Sequence, residues 1–170
     1  MSCERLPPLI ICESWAEFEK YDDILYQIFK HDFIESKPQF ESKNVIIRRH
    51  PKVNEKEQTF FHITSKDYKE NEERCPDPRR CERIAWVRKF IENDFCLEDC
   101  NQCEGIKIWE EQYRTWQRIY LLLDYEKYVV ILERRETCCL LVTAYYLDYD
   151  HSLRKLIKKY NAYIKQNAPC

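Results

Sequence analysis

The stretch RIYLLLDYEKYVVILERRETCCLLVTAYYL, residues 118–147, decides the fold. Three runs rich in Val, Ile, Leu, Tyr and Thr (Arg118–Asp124, Tyr128–Glu133, Cys138–Tyr146) are separated by short charged connections. Connections that short join only antiparallel neighbours, so the stretch predicts a three-stranded meander. The runs are apolar almost throughout, which predicts a sheet covered on both faces. Along the third run, strict alternation places Leu141, Thr143 and Tyr145 on one face and Val142, Ala144 and Tyr146 on the other. A hydroxyl and a phenol two residues apart on a buried strand need partners or a ligand.

Helical patterns flank the meander. Ser14-x-x-Glu17 is a capping-box pattern, and Trp15, Phe18, Tyr21, Leu25, Ile28 and Phe29 then recur at helical spacing, predicting a helix from Ser14 to about Phe33. Lys37-Pro38 ends it. Val45–Arg48 and Gln58–Thr64 (QTFFHIT) read as strands from their β-branched and aromatic content. On such a strand His62 faces away from Phe61 and Ile63. In CPDPRRCERIAWVRKFIEN, residues 75–93, Asp77 caps a helix with Pro78 at its first position. Arg79 and Arg83 fall four apart on that helix, with Arg80 beside them and Arg88 further on. Four arginines in ten residues behind a capped start form either a solvated basic face or an anion site. Trp109, Tyr113 and Trp116 are spaced as on a helix over 106–117. After the meander, Leu153, Leu156, Ile157, Tyr160 and Ile164 stripe a last helix. The fold class is therefore α+β: an antiparallel sheet of four to six strands with helices packed on it.

Composition narrows the chemistry. The 170 residues suffice for one domain with a real core, and 34% charged residues at net charge −2 are ordinary for a globular chain. Gly105 is the only glycine, which excludes the phosphate-cradling loops of Rossmann and P-loop proteins and Asn-Gly hairpin turns. No run of about 18 apolar residues occurs, so no membrane span is expected. MSCERLPPLIICESW lacks a basic start and a long apolar stretch, which predicts no export signal and a cytoplasmic protein whose ten cysteines are reduced. Cys96-x₃-Cys100-x₂-Cys103 matches the cluster-ligand spacing of radical S-adenosylmethionine enzymes, but those need a large barrel. A zinc or iron–sulfur knot with Cys75 or Cys81 as a further ligand is the alternative reading. With no fourth partner at standard spacing, no tightly held metal is expected. Charge is uneven: residues 13–35 hold seven acidic side chains against Lys20 and Lys30. Residues 151–170 hold Arg154, Lys155, Lys158, Lys159 and Lys165 with no acidic one. The two ends can pair, or the basic one can serve a polyanion.

The series FFHIT, PDPRRCERIAWVRKFIEN, RIYLLL, YVVILE, LLVTAYYL and HSLRKLIKKY resembles an uncharacterised phage- and prokaryote-associated branch of the Barnase/EndoU/colicin/RelE-like nucleases. The likeness runs from about Phe60 to Tyr160 and leaves the cysteine loop and the acidic first helix unmatched. It divides the chain into an N-terminal helical segment, 1–44, and a nuclease-like portion, 45–170, together one compact unit. The resemblance implies a RelE/barnase-like core, no cofactor, RNA as partner and a cognate inhibitor protein. It implies a toxin-like, metal-independent endoribonuclease with His62, Arg80, Arg83, Thr143 and Tyr145 as catalytic residues. Arg79, Arg88, His151, Arg154 and Lys155 would hold substrate. The chemistry agrees with those residue types. Metal-free RNA cleavage to a 2′,3′-cyclic phosphate needs a base for the 2′-OH, an acid for the leaving 5′ oxygen and fixed positive charge on the phosphorane. Histidine titrates near neutrality and an arginine fork matches two phosphate oxygens. The competing readings are a non-catalytic RNA- or protein-binding module on the same scaffold, and a regulatory protein centred on a cysteine-ligated metal.

Overall fold

A computed structural model describes residues 3–70, 72–95 and 100–169. The meander is present and one strand longer than expected. β3 (Lys107–Tyr113), β4 (Trp116–Leu123), β5 (Tyr128–Arg134) and β6 (Cys139–Tyr146) are antiparallel neighbours in chain order. Two short strands, β1 (Gln39–Phe40) and β2 (Lys43–Ile46), complete a six-stranded sheet ordered β1-β2-β6-β5-β4-β3. β2 lies parallel to β6, so one pairing departs from the antiparallel expectation.

Both faces of the sheet are covered, unequally. On the first face Ile119, Leu121, Val130, Leu132, Leu141 and Ala144 pack under α1 (Phe18–Lys30), α2 (Gln58–Thr64) and α4 (Ile84–Glu92). Leu25 and Phe29 of α1 share this core with Phe60, Trp86 and Phe90, so the N-terminal segment is built into it. On the second face Trp109, Tyr120, Leu122, Val129 and Ile131 meet Leu153, Leu156, Ile157 and Tyr160 of α5 (Asp150–Gln166). α5 reaches β3, where Tyr160 packs edge-on against Trp109 and Lys159 pairs with Glu111. Beyond it the face lies open: Tyr113 and Trp116, at the tip of the β3–β4 hairpin, are 40% and 41% exposed.

Four local expectations change. Residues 58–64 form helix α2, not a strand. Gln58, Thr59, Phe60, Phe61, Ile63 and Thr64 are all buried, and a short apolar run buried all round is ambiguous between the two periods. Residues 107–117 are strand β3, a two-residue turn and the start of β4, not helix. Trp109 and Tyr113 are four apart, a spacing that puts them on one face in either structure, and Trp116 rejoins them because the hairpin pairs it with Tyr113. The arginine-rich helix is two helices, α3 (Pro78–Cys81) and α4, broken at Glu82–Arg83. Asp77 does cap the first, its carboxylate accepting from the Arg79 N–H at 2.9 Å. The Ser14 side chain, by contrast, makes no cap bond, and Trp15–Glu17 is a 3-10 turn leading into α1.

A bulge between Ile131 and Leu132 inserts Val142 into β6, so Leu132 faces Leu141 while Ile131 faces Thr143. Alternation therefore breaks there. Leu141 points into the first core, and only Thr143 and Tyr145 share the second face. The acidic first helix and the basic last one do not pair with each other among the described ion pairs. Asp22 is held by Lys56 and Arg74, and Lys159 by Glu111.

Candidate functional site

β2 pairs with β6 only at Cys139 and Leu140. Beyond that point the free edge of β6 is flanked by α2 and α3, which follow each other after one loop. The junction is a three-way contact. The peptide carbonyl of His62 accepts from Arg80 Nη1 and from the Thr143 hydroxyl, both at 2.9 Å, and Arg80 Nη1 also reaches Thr143 Oγ1 at 3.3 Å. Arg80 Nε faces Asp77 at 3.6 Å, and its guanidinium carbon lies 5.2 Å from the centre of the Tyr145 ring. One arginine thus ties the helix of the histidine to the strand of the threonine and tyrosine.

This junction forms one wall of a cavity of about 330 Å³ lined by Arg48, His62, Tyr68, Arg80, Arg118, Glu133 and Thr143, among others. Strand pairing puts Arg118 opposite Glu133 and Ile131 opposite Thr143, all on the second face. Arg118 lies over the Tyr113 ring at 3.5 Å, and its buried Nε has no hydrogen-bond partner among the described residues. Glu133 is buried and paired with Arg135. The His62 ring stands edge-on to Tyr68 at 5.2 Å. Burial lowers the His62 pKa from its ordinary value, and the guanidiniums of Arg48 and Arg80 lower it further. The imidazole is therefore neutral at pH 7, a proton acceptor. Burial acts the other way on Tyr145 and raises its pKa, keeping the phenol protonated.

A second cavity of about 410 Å³ opens from the first across Arg80 and Asp67, which line both. Tyr120, Tyr145, Tyr149, Ser152, Lys155 and Lys159 contribute to it, so α5 supplies its far wall. Together the cavities form a groove on the half of the sheet that α5 leaves uncovered.

Of the five residues expected to act together, His62, Arg80 and Thr143 line the first cavity, while Tyr145 lines the second beside Arg80. Arg83 lies elsewhere: the break after α3 turns it inward, where it donates to the Arg79 carbonyl, pairs with Glu82 and lies over Trp86 and Tyr146. Thr143 is placed as expected, but its hydroxyl is committed to His62 and Arg80 and so positions them. Among the expected substrate-holding residues, Lys155 lines the second cavity. Arg79 pairs with Asp148 over the Tyr146 ring. Arg88 is bonded to the Asp32 carbonyl, Ser36 and Glu92, tying α4 to the turn that follows α1. His151 stacks on Tyr149 at the exposed start of α5, and Arg154 is likewise exposed. Cys96 lies outside the described residues, Cys100 and Cys103 are half-buried free thiols, and Cys75 is an exposed one. The buried Cys81 thiol donates to the Thr64 carbonyl, and burial pushes its pKa up to about 12. Among the described residues no three His, Cys, Asp or Glu side chains are grouped to hold a metal ion.

Arg48, Arg118 and Tyr120 were missed. Arg118 and Tyr120 alternate on a strand within the opening stretch, and that alternation is the signal that finds them. No helix among the described residues is long and apolar enough to cross a membrane. No family model, curated protein or solved structure matches the chain.

Proposed function

We propose that the groove binds RNA and cleaves it without a metal ion, through attack of a ribose 2′-OH on the adjacent phosphorus. The observation that carries this reading is a neutral, half-buried imidazole in one cavity with three guanidiniums, those of Arg48, Arg80 and Arg118. Three fixed positive charges around a small cavity match a phosphodiester whose negative charge grows toward the transition state. A neutral His62 takes the 2′-OH proton as the 2′ oxygen bonds to phosphorus. The bond from phosphorus to the 5′ oxygen breaks, and the protonated phenol of Tyr145 supplies the leaving group with its proton. The products are a 2′,3′-cyclic phosphate and a 5′-hydroxyl end. Arg80 has a double function, binding phosphate and holding α2 against β6. Thr143 keeps that joint in register.

The non-catalytic RNA-binding reading uses the same groove and differs in the fate of the strand. Incubating the protein with total RNA in excess chelator separates the two, with new termini expected to carry cyclic phosphates. His62→Ala is expected to lower cleavage by roughly 10²–10⁴-fold while the melting temperature holds. Intact RNA, or a variant that loses stability but not activity per folded molecule, overturns the catalytic reading.

A further inference from the structure

A third cavity of about 530 Å³ adjoins the first at the opposite end from α5, and Arg48 and Leu140 line both. Its other walls are Ile46, Trp116 and the β5–β6 turn, residues 135–138. Trp116 projects from the same face as Arg118 and Tyr120 and is opposite Tyr113 across the hairpin. The Arg135 guanidinium lies 3.8 Å from the centre of the Trp116 ring. Trp116 is nevertheless 41% exposed. A large ring held by a cation and left partly open to solvent has a plain use beside a phosphate-binding cavity.

We infer that Trp116 and Arg135 form a remote subsite for an unpaired nucleobase, and that the substrate is a flexible single strand lying along β6. This rests on the RNA reading above. The three cavities follow β6 from Cys138 to Tyr146 in order, a run of roughly 25 Å at the usual strand rise. That length holds at most about seven nucleotides, since even a stacked strand rises about 3.4 Å per nucleotide. Aromatic side chains stand at both ends, Trp116 at one and Tyr120 with Tyr145 at the other, and arginines stand between them. This is the arrangement for a strand whose bases are splayed onto ring faces while its phosphates meet cations. A duplex cannot use it, because its bases are stacked inside and cannot reach the Trp116 ring.

The test uses 2′-O-methyl oligoribonucleotides, which cannot undergo the 2′-OH attack, so binding is read on the native protein. Fluorescence anisotropy over a series from two to about ten nucleotides is expected to show affinity rising with length and levelling off by about seven at the latest. Trp116→Ala is expected to weaken binding of the long strands by roughly 5- to 150-fold, the loss of one stacked base. Trp116→Phe restores much of it, and annealing the complement abolishes binding. A Trp116→Ala protein that binds long strands like the parent overturns the subsite, even if Arg80→Ala still loses affinity and so upholds RNA binding. Duplex bound as tightly as single strand overturns it as well. No binding at any length overturns both the subsite and the RNA reading, whereas binding without cleavage of unmodified RNA sinks catalysis alone.

Discussion

Arg80 and Arg83 are three residues apart and chemically identical, yet only one borders the groove. Arg83 is enclosed by Trp86, Tyr146 and Glu82, so its charge is spent on packing. Arg80 binds the carbonyl of His62 from the cavity wall. The charge around His62 also makes a pH prediction. Its imidazole is pushed below the ordinary value of 6.5 by burial first, then by Arg48 and Arg80. A base must be neutral to act, so the acid limb of the cleavage profile is expected to have its midpoint below pH 6.5. Full rate then extends through neutrality. Arg48→Met removes one of the repelling charges and is expected to move that midpoint upward. A midpoint unchanged in Arg48→Met, measured over the same pH range, refutes the electrostatic argument. The linked stability has the same sign. A histidine kept neutral when folded contributes stability above its unfolded pKa of about 6.5 and loses it as pH falls through the lower folded value.

At the scale of elements, turns built without glycine are distinctive. Eight non-glycine residues among those described adopt positive φ, among them Glu41 and Ser42 at the β1–β2 hairpin and Arg114 at the β3–β4 hairpin. That backbone costs an L-residue roughly 1–2 kcal/mol against the right-handed one, and glycine relieves it at the expense of a more flexible unfolded chain. Ser42, at φ 65° and outside the lining of the three cavities, isolates the effect. Ser42→Gly is expected to stabilise by up to about 1 kcal/mol, a rise of roughly 2–4 °C in melting temperature. A fall in melting temperature means the side chain contributes more than its backbone strain takes away. The same scale shows why propensity fails for α2. QTFFHIT has the propensities of a strand, but nearly all of its side chains are buried, with Phe60, Phe61 and Ile63 in the core on the first sheet face, a burial that propensity does not register.

For the whole molecule, charge distribution outweighs total charge. The net charge of −2 gives no general attraction for a polyanion, so binding must come from the local cluster of Arg48, Arg80 and Arg118 with Lys155 and Lys159 beyond. If those three arginines meet three phosphates of a single strand, log affinity against log salt is expected to fall with a slope of about −2. Arg118→Ala, titrated over the same salt range, makes the slope shallower by about 0.7. A slope near zero excludes phosphate neutralisation as the source of affinity.

The sequence by itself determined the meander, the capped start at Asp77, the apolar stripes of α1 and α5 and the cover on both sheet faces. Each is written in local periodicity or in a residue with a single favoured place, such as proline at the first helical position. It also singled out Thr143 and Tyr145, because polar groups inside an apolar run demand partners, and Arg80 together with Arg83 from the capped arginine run, while His62 entered through the resemblance. Only the tertiary structure decided that Leu141 turns away from Thr143, that Arg83 is buried and that Arg48 and Arg118 complete the cavity. A one-residue bulge, a break between two short helices and pairings between distant segments, such as Ile46 with Leu140 beside Arg48, set those outcomes. Long-range packing creates them, and no local pattern records it.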